Sequence, residues 1–290
     1  MRRPTSIPDG LVMVSTPIGN LDDMTPRGLA VLRAADLVLA EDTRVTARLL
    51  AVFGIAARMQ PLHEHNEALR VDAVLAMLRD GKRIALVSDA GTPLVSDPGF
   101  RLVRAAIAAG LPVGAVPGPN AAVAALVLSG LPPQPFLFQG FAPPRQAGRR
   151  AHYAALRALE RGGLAATLIW HEAPHRLAEA LADLAAAFGD RPAAVARELT
   201  KRFEEVRRGT VAELAAHYAA EPARGEITLL LGPAPAEAPS GEAELDARLR
   251  AALATLSVRE AAALVAGATG LPRRAVYARA LAIAGERRER

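Results

Sequence analysis

The stretch IALVSDAGTP at 84–93 joins an apolar run, Ile84–Val87, to a loop that begins with Ser88 and Asp89. The apolar run has the length and composition of a strand that is buried on both faces. The loop carries Ala-Gly, which leaves the backbone bare, in the position where open α/β sheets bind their ligands. We therefore predict a ligand-binding loop at this point of an α/β fold.

The same arrangement occurs twice more along the chain. STPIGN at 15–20 follows the apolar run 11–14, and PGPN at 117–120 follows the run 113–116. Since the carboxyl ends of parallel strands meet at one edge of a sheet, the three loops are expected to line a single cleft.

Strand-like and helix-like segments alternate from residue 11 to about 130, including a helix expected to begin at Asp97. This alternation predicts a parallel sheet with helical crossovers. The segment LPPQPFLF at 131–138 contains three prolines and interrupts the pattern. We therefore predict a first α/β domain over 1–130 and, from the strand-like and helical runs that follow, a second α/β domain over 131–232.

The C-terminal part of the chain is expected to lie outside these two domains. Residues 233–243 are rich in Pro, Ala and Glu, which predicts a linker. Within 244–290, Ser257 is expected to cap a helix that Gly270 ends, and Pro272 to begin the next helix. The spacing resembles a helix-turn-helix; a small helical cap that packs on the main body is the alternative.

Composition limits the chemistry. The chain has 290 residues, is 51% hydrophobic and contains no cysteine, so it can bury a full core but has no disulfide, thiolate metal site or sulfur redox chemistry. The basic N-terminus lacks the apolar run of a signal peptide or a membrane anchor. We expect a soluble cytoplasmic protein with no membrane partner, and no metal, because the HEH triplet at 63–65 has no matching third ligand.

Positive charge is concentrated in two places, although the net charge is only +5. Five arginines lie between residues 145 and 161, and others lie in the C-terminal tail. Such clusters are typical of contact with the phosphates of a polyanion, and a solvated helix face is the alternative. The sequence contains neither the phosphate-binding GxxxxGK[ST] loop, nor the GxGxxG fingerprint, nor a Gly-x-Ser-x-Gly elbow, so the common nucleotide-binding and serine-hydrolase sites are not indicated.

Several short motifs occur together and in one order: TPIGNLDDMT at 16–25, AEDTR at 40–44, SDAGTPLVSDPG at 88–99 and RELTK at 197–201. Their combination resembles the bacterial 16S rRNA cytidine 2′-O-methyltransferases of the tetrapyrrole methylase superfamily. The resemblance runs from about Leu11 to Gly232 and continues more loosely through the tail. It implies two α/β domains with S-adenosylmethionine in the cleft between them, usually a homodimer, and 16S rRNA of the small ribosomal subunit as the substrate.

The resemblance also implies which positions hold the cofactor, largely through main-chain groups. They are Pro17, Ser88, Asp89, Ala90, Gly91, Thr92, Pro117, Gly118, Asn120, Ala121, Trp170, His171 and Gly225. Small residues at such positions allow a backbone amide to approach a ligand. Two positions depart from the family pattern, which usually has a smaller residue at Asn120 and more often a tyrosine at His171.

Methylation of a ribose 2′-hydroxyl requires alignment of its oxygen with the sulfonium methyl and loss of its proton. Alignment can contribute roughly 7–11 kcal/mol, and a general base adds about 10²–10⁴-fold. The candidate catalytic residues are Glu172, Arg197, Glu198 and Lys201. Lys201 is one of only two lysines in the chain, so we expect a role that arginine cannot fill, as a compact ammonium or as a neutral amine. A surface lysine without a role is the alternative.

The candidate RNA contacts are Arg44, Arg145, Arg149, Arg150, Arg273 and Arg274, each of which could meet phosphate. Two other functions stay open at this point. One is a methyltransferase that acts on a tetrapyrrole or another small molecule, for which the basic tail would be superfluous. The other is an RNA-binding protein that has kept the fold and lost methyl transfer.

Overall fold

The computed structural model describes residues 7–235 and 241–286. Within these residues the chain forms two five-stranded sheets, followed by a C-terminal group of helices. The predicted α/β class is confirmed, and the following paragraphs describe only what positions the site.

The first sheet is parallel throughout and has the strand order β3-β2-β4-β1-β5. Its strands are β1 (Leu11–Val14), β2 (Leu37–Ala40), β3 (Met59–Pro61), β4 (Ile84–Val87) and β5 (Val113–Val116). The crossover helices are α1 (Pro26–Ala34), α2 (Thr43–Val52), α3 (Glu67–Arg79) and α4 (Phe100–Ala108). Strand β3 was not predicted; it is three residues long and lies at the edge, where Pro61 can be accommodated without a backbone donor.

Helices cover both faces of this sheet. Val12, Val38 and Ala85 face one apolar cluster, and Leu11, Leu39 and Leu86 face the other. Since successive side chains of a strand point to opposite faces, strands buried on both sides read as the continuous apolar runs seen in the sequence.

Helix α4 begins three residues later than predicted, because residues 94–99 form a tight loop. Leu94, Ser96 and Gly99 all have positive φ angles, of 72°, 70° and 121°. The first two are not glycines, and a left-handed backbone at such residues costs of order 1–3 kcal/mol each and persists only where the surroundings enforce it. The loop therefore places Asp97 at the carboxyl edge of the sheet instead of in a helix.

The second sheet is mixed and has the order β6-β7-β10-β8-β9. Its strands are β6 (Phe136–Phe141), β7 (Thr167–Glu172), β8 (Pro192–Arg197), β9 (Glu205–Thr210) and β10 (Ile227–Leu231). Strands β6 and β7 are parallel, and the other pairs are antiparallel. The helices α6 (Gln146–Arg161), α7 (Leu177–Phe188) and α8 (Val211–Ala220) pack with one face of this sheet in a single apolar cluster.

The other face of the second sheet is covered by α5 (Ala121–Ser129), the helix that follows β5 of the first sheet. Ala125 and Leu126 of this helix pack with Ile169, Ala194 and Leu230 of the second sheet. The elements that pack on the second sheet therefore include α5, which precedes residue 131, the predicted start of the second domain. The two sheets are joined by an apolar core that lies directly beside the loops of the first sheet.

The C-terminal group consists of α9 (Glu242–Ala252), α10 (Val258–Thr269) and α11 (Arg273–Glu286). Ser257 caps α10 in a reciprocal arrangement with Glu260, and Gly270 ends it with a left-handed φ of 67°, so the predicted start and stop are confirmed. Of the predicted linker 233–243, residues 236–240 lie outside the described part of the chain. Among the described residues, no helix has the length and hydrophobicity needed to cross a bilayer.

Candidate active site

The loops after β1 and β4 meet at a reversal in the strand order. The crossover from β1 leads to β2 on one side, and the crossover from β4 leads to β5 on the other, which leaves a crevice at the carboxyl ends of the strands. Thr16 and Gly91 exchange two backbone hydrogen bonds across this point, of 2.9 and 3.1 Å. The expected meeting of the loops is therefore observed.

A cavity of about 430 Å³ opens where these loops face the second sheet. Its size is typical of a small-molecule site. The first sheet and its loops contribute Ile18, Glu41, Asp89, Ala90, Gly91, Thr92, Val95, Ser96, Asp97, Asn120 and Ala121. The second sheet and its loops contribute Phe141, His171, Glu172, Ala173, Pro174, Ala196, Leu199, Gly225, Glu226, Ile227 and Thr228.

Most of the predicted cofactor positions line this cavity. They are Asp89, Ala90, Gly91, Thr92, Asn120, Ala121, His171 and Gly225. Pro17, Ser88, Pro117 and Gly118 are not part of the lining: Pro17 and Ser88 directly precede lining residues, and Pro117 and Gly118 lie in the same loop as Asn120. Ser88 is buried. A Cβ added at Gly118 would lie 2.8 Å from the Cβ of Ser15, so the loop at Gly118 packs closely on the loop at Ser15.

The side chain of Trp170 lies away from the cavity, so only its main chain could meet a cofactor. Its side chain is fully buried in the core of the second sheet, where it packs against Tyr153 and its Nε1 donates to His152 Nε2 at 3.2 Å. Because neighbours on a strand point to opposite faces, only one of Trp170 and His171 can face the cavity with its side chain, and that residue is His171.

Two glycines give the cavity bare backbone in a left-handed conformation that other residues rarely adopt. Gly91 has a φ of 82°, and a Cβ there would lie 3.3 Å from Ile18 Cγ2. Gly225 has a φ of 83°, and a Cβ there would lie 2.3 Å from Glu198 Oε1. A side chain at Gly225 would therefore displace the carboxylate of Glu198.

The cavity is acidic. Among the described residues its lining includes Glu41, Asp89, Asp97, Glu172 and Glu226 but no lysine or arginine. Burial, reinforced by the charge of Glu41, raises the pKa of Asp97 to about 6. Burial also raises the pKa of Glu41, which lies beside Asp89, and that of Asp89 itself. The carboxylates repel one another, so a cation in the cavity would relieve an unfavourable concentration of negative charge.

Lys201 lies at the edge of the cavity in a double ion pair. Its Nζ lies 2.9 Å from Glu198 Oε1 and 3.0 Å from Glu226 Oε2. Burial opposes the charge of Lys201, but the hydrogen bonds to the two glutamates outweigh burial and raise its pKa. The side chain is therefore an ammonium at neutral pH, which removes the neutral-amine alternative.

The RELTK loop around Lys201 has an enforced backbone. Glu198 and Thr200 have positive φ angles of 50° and 64°. Glu198 Oε1 accepts from the backbone N–H of Glu226 at 3.0 Å, and Thr200 Oγ1 accepts from that of Asn20 at 3.0 Å. The loop thus holds the second sheet against the TPIGN loop of the first sheet, and these contacts maintain its strained conformation.

The other two candidate catalytic residues differ in position. Arg197 is turned to β9, where its Nε donates to Glu205 Oε2 at 2.7 Å. Glu172 lines the cavity and is almost fully buried. Its Oε1 pairs with Arg176 at 2.6 Å, and its buried Oε2 has no hydrogen-bond partner within the described structure. Glu172 therefore borders the cavity with one oxygen held by Arg176 and the other buried out of contact with solvent, whereas Arg197 forms a partly exposed ion pair with β9.

The candidate RNA contacts divide by burial. Arg149 is fully buried and its Nη2 pairs with Asp183 at 2.7 Å, so its guanidinium is not available to phosphate, and the expectation for this residue is corrected. Arg150 also pairs with Asp183, but its side chain is largely exposed. Arg44 is highly exposed and pairs with Asp42 two residues earlier.

Arg145, Arg273 and Arg274 are exposed, at the starts of α6 and α11. For the arginines at α6, the amphipathic pattern of the helix could have separated Arg149 from Arg145, because the buried positions 149, 153, 156 and 160 lie on one helical face.

Thirteen of the lining residues were not predicted as site residues, and Glu41, Asp97, Phe141 and Glu226 are the charged and aromatic ones among them. Asp97 is the second aspartate of the SDAGTPLVSDPG motif, which could have marked it as a site residue, but a helix was expected to begin at this position. Phe141 and Glu226 lie at the ends of strands, and no motif marks them.

Comparison with known proteins agrees with this geometry. The family model of tetrapyrrole (corrin/porphyrin) methylases matches residues 10–215, and the model of the RsmI C-terminal HTH domain matches residues 239–284. Ribosomal RNA small subunit methyltransferase I of Mesorhizobium japonicum is 48% identical over 93% of this chain and 91% of its own. The proteins of the same name from Pseudomonas aeruginosa and Escherichia coli O157:H7 are 47% and 44% identical, each over 93% of this chain and over 96% and 94% of their own.

Solved structures show the same fold. The methyltransferase CobJ matches 80% of this chain and 97% of its own with a TM-score of 0.56 at 22% identity. Diphthine synthase matches 77% and 89% with a TM-score of 0.59 at 18% identity. With a family model that covers most of the chain, and relatives that align along nearly their whole length, the chain belongs to the ribosomal RNA small subunit methyltransferase I family of the tetrapyrrole methylases.

Proposed function

We propose that this protein transfers a methyl group from S-adenosylmethionine to the 2′-oxygen of a cytidine ribose in the decoding region of 16S rRNA, on the small ribosomal subunit. The observation that carries the proposal is the acidic cavity between the two sheets, in a chain whose relatives are named ribosomal RNA small subunit methyltransferases.

The residues of the cavity fit this cofactor. S-adenosylmethionine supplies an electrophilic methyl group on a positively charged sulfonium, and it also carries an ammonium group. The bare backbone at Gly91 and Gly225 would approach it closely, and Glu41, Asp89 and Asp97 would favour its positive charge. The same carboxylates would hold the cationic cofactor more tightly than a product without the sulfonium charge.

Asp97 is the carboxylate best suited to accept the proton of the ribose hydroxyl. It lines the cavity, and burial raises its pKa to about 6. A general base is most effective when its pKa lies near the working pH. At pH 7.5 Asp97 is ionised and can take up a proton.

Lys201 and Glu198 act as positioning residues in this proposal. The ammonium of Lys201 holds Glu226, which lines the cavity, and Glu198 occupies the space beside Gly225. Both therefore fix the wall of the cavity that the second sheet provides. Arg197 extends this support to β9 through Glu205, and Glu172, paired with Arg176, supports the same wall.

The RNA would be attracted by exposed arginines outside the cavity. Arg145, Arg273 and Arg274 are exposed, and the described lining of the cavity contains no lysine or arginine. Phosphate contacts of this kind supply affinity that is independent of sequence and falls steeply with salt. In this arrangement the arginines hold the RNA backbone while the acidic cavity retains the cationic cofactor.

We infer further that the protein forms a homodimer, as is usual in the family that the motifs resemble. Helix α5 buries one face against the second sheet, while Val123 and Val127 on its opposite side are 46% and 75% exposed. Exposed apolar side chains grouped on one helix mark an interaction surface, and a second copy of the chain is the partner that we propose.

Methyl transfer from labelled S-adenosylmethionine tests the proposed function. The acceptors are small ribosomal subunits that lack the modification, free rRNA and a tetrapyrrole precursor. We expect label in the subunits, and label in the tetrapyrrole alone would overturn the proposal. The variant Gly225→Val should lower activity because its side chain displaces Glu198 at the cavity wall, whereas Gly81→Val, at a glycine with a similar φ of 77° where a Cβ would meet no other atom within 4 Å, is the matched control that should keep activity.

A further inference from the structure

A large aromatic side chain lies exposed at the cavity and has no place in the proposed chemistry so far. Phe141 belongs to the cavity lining, yet 57% of its surface is exposed. Aromatic residues make up only 4% of this chain. An exposed phenyl ring costs free energy in water, so its position at the site points to a contact that the ring makes with a ligand.

A local irregularity of β6 directs this ring. Strands β6 and β7 pair in register from Phe136 to Phe138, and the register shifts before Phe141 pairs with His171. Gly140, within the shift, has a left-handed φ of 65°. Irregularities of this type are found next to active sites, where they redirect a side chain.

The bulged segment also approaches the tight loop that carries Asp97. A Cβ added at Gly140 would lie 3.4 Å from Ser96 Oγ, so the strand and the loop nearly touch. Phe141 and Asp97 thus line the same cavity from two elements that meet at Gly140 and Ser96. The ring and the carboxylate that we propose as the proton acceptor therefore border the same cavity.

Phe141 is supported by a neutral ring. Its centroid lies 5.5 Å from that of His171, which also packs edge-on against Phe138 at 4.9 Å. Burial lowers the pKa of His171, so the imidazole is uncharged at neutral pH. The other elements that surround the imidazole contribute Thr228, at 3.3 Å from Nδ1, and the charge of Glu226. Phe141 is thus held in a fixed orientation while more than half of it stays exposed.

We propose that Phe141 stacks on the base of the target nucleotide, a pyrimidine turned out of the RNA so that its ribose reaches the cavity. This inference rests on the proposed function and names the substrate contact within it. Single-stranded bases are bound by stacking on aromatic side chains.

The depth of the cavity assigns this ring to the RNA and not to the cofactor. The apolar lining residues Ile18, Ala196, Leu199 and Ile227 are buried, and these deep positions suit a small molecule that the cavity encloses. Phe141 is exposed, so it is accessible to a second reactant that arrives from solvent. Arg145, four residues further along the chain and also exposed, is placed to meet an adjoining phosphate.

Kinetics of Phe141→Ala test the contact. Stacking of one base contributes about 5- to 150-fold in affinity, so the KM for small subunits should rise by roughly that factor. The affinity for S-adenosylmethionine, measured by calorimetry without RNA, should stay within twofold of the unaltered chain. Phe141→Tyr keeps the ring and should restore the KM. Phe136→Ala, at the other end of β6 and also exposed, is the matched control and should leave the KM unchanged.

Two results would overturn the inference. An unchanged KM in Phe141→Ala would show that the ring makes no contact with the RNA. Weaker cofactor binding by the same factor as the rise in KM would assign the ring to the cofactor. Failure of the proposed function itself would look different, because the unaltered chain would then transfer no methyl group to the subunits.

Discussion

Substitution of Asp97 by Asn should stabilise the fold and lower activity. The carboxylate of Asp97 shares the cavity with Glu41 and Asp89, and its pKa lies at about 6 instead of 3.8. Each pKa unit corresponds to about 1.4 kcal/mol, so the full difference amounts to about 3 kcal/mol. Asp97 is only half-buried, and solvent screens part of this energy, so we expect a gain of about 1–3 kcal/mol in the free energy of unfolding at pH 8.

The pH dependence of this gain has a definite sign. A raised pKa means that the folded protein holds the proton more tightly than the unfolded chain does. Ionisation of Asp97 therefore destabilises the native state progressively between pH 3.8 and pH 6, and fully above pH 6. Asparagine carries no charge, so the gain from Asp97→Asn should be largest at pH 8 and about one third as large at pH 4.5.

Urea unfolding of both proteins at pH 8 and pH 4.5 measures this gain. Asp72→Asn, at an exposed position on α3, is the matched control and should change stability little at either pH. Saturating S-adenosylmethionine should stabilise the unaltered protein more than the variant, because the cation relieves the repulsion that the variant lacks. A variant that is no more stable than the unaltered protein at pH 8, or that gains equally at both pH values, would refute the reasoning.

Three further predictions follow from the site and the surface. Lys201→Ala should lower turnover and weaken the binding of S-adenosylmethionine, because the ammonium holds Glu226 and Glu198 in the cavity wall; an unchanged turnover together with an unchanged Kd would end this assignment. Deletion of residues 240–290 should weaken binding to small subunits and flatten its dependence on salt, since phosphate contacts are lost; an unaltered salt slope in a filter-binding titration would make the tail purely structural. Val127→Lys should convert the proposed dimer to a monomer, as measured by light scattering, because the lysine places a charge in the centre of the proposed interface. A dimer mass that the substitution leaves unchanged would contradict the location of that interface.

The parts of the fold that sequence predicts best are those fixed by local chemistry. The buried strands of the first sheet read as short apolar runs, and the ligand loops follow them directly, so both the parallel sheet and the meeting of the loops could be predicted. The same holds for α10, whose start and end are determined by Ser257 and Gly270. Strand β3 is three residues long and contains a proline, and no sequence pattern distinguishes it from a loop.

Side-chain environment was harder to predict than secondary structure. Adjacent in sequence, Trp170 and His171 lie on opposite faces of β7, and Arg149 and Arg150 differ completely in burial although both lie in α6. The periodicity of a strand or helix separates such neighbours, but only when one face is already known to be the core. The packing of α5 on the second sheet depends on contacts between distant segments, which local sequence does not contain.

Mapping the methyl group on the RNA tests the central claim most directly. Small subunits that lack the modification would be treated with the protein and labelled S-adenosylmethionine, and the RNA would be digested to nucleosides and fragments for mass spectrometry. We predict a single 2′-O-methylcytidine per subunit, located in the decoding region of 16S rRNA. A methyl group on a base, at several unrelated sites, or in no RNA at all would contradict the account.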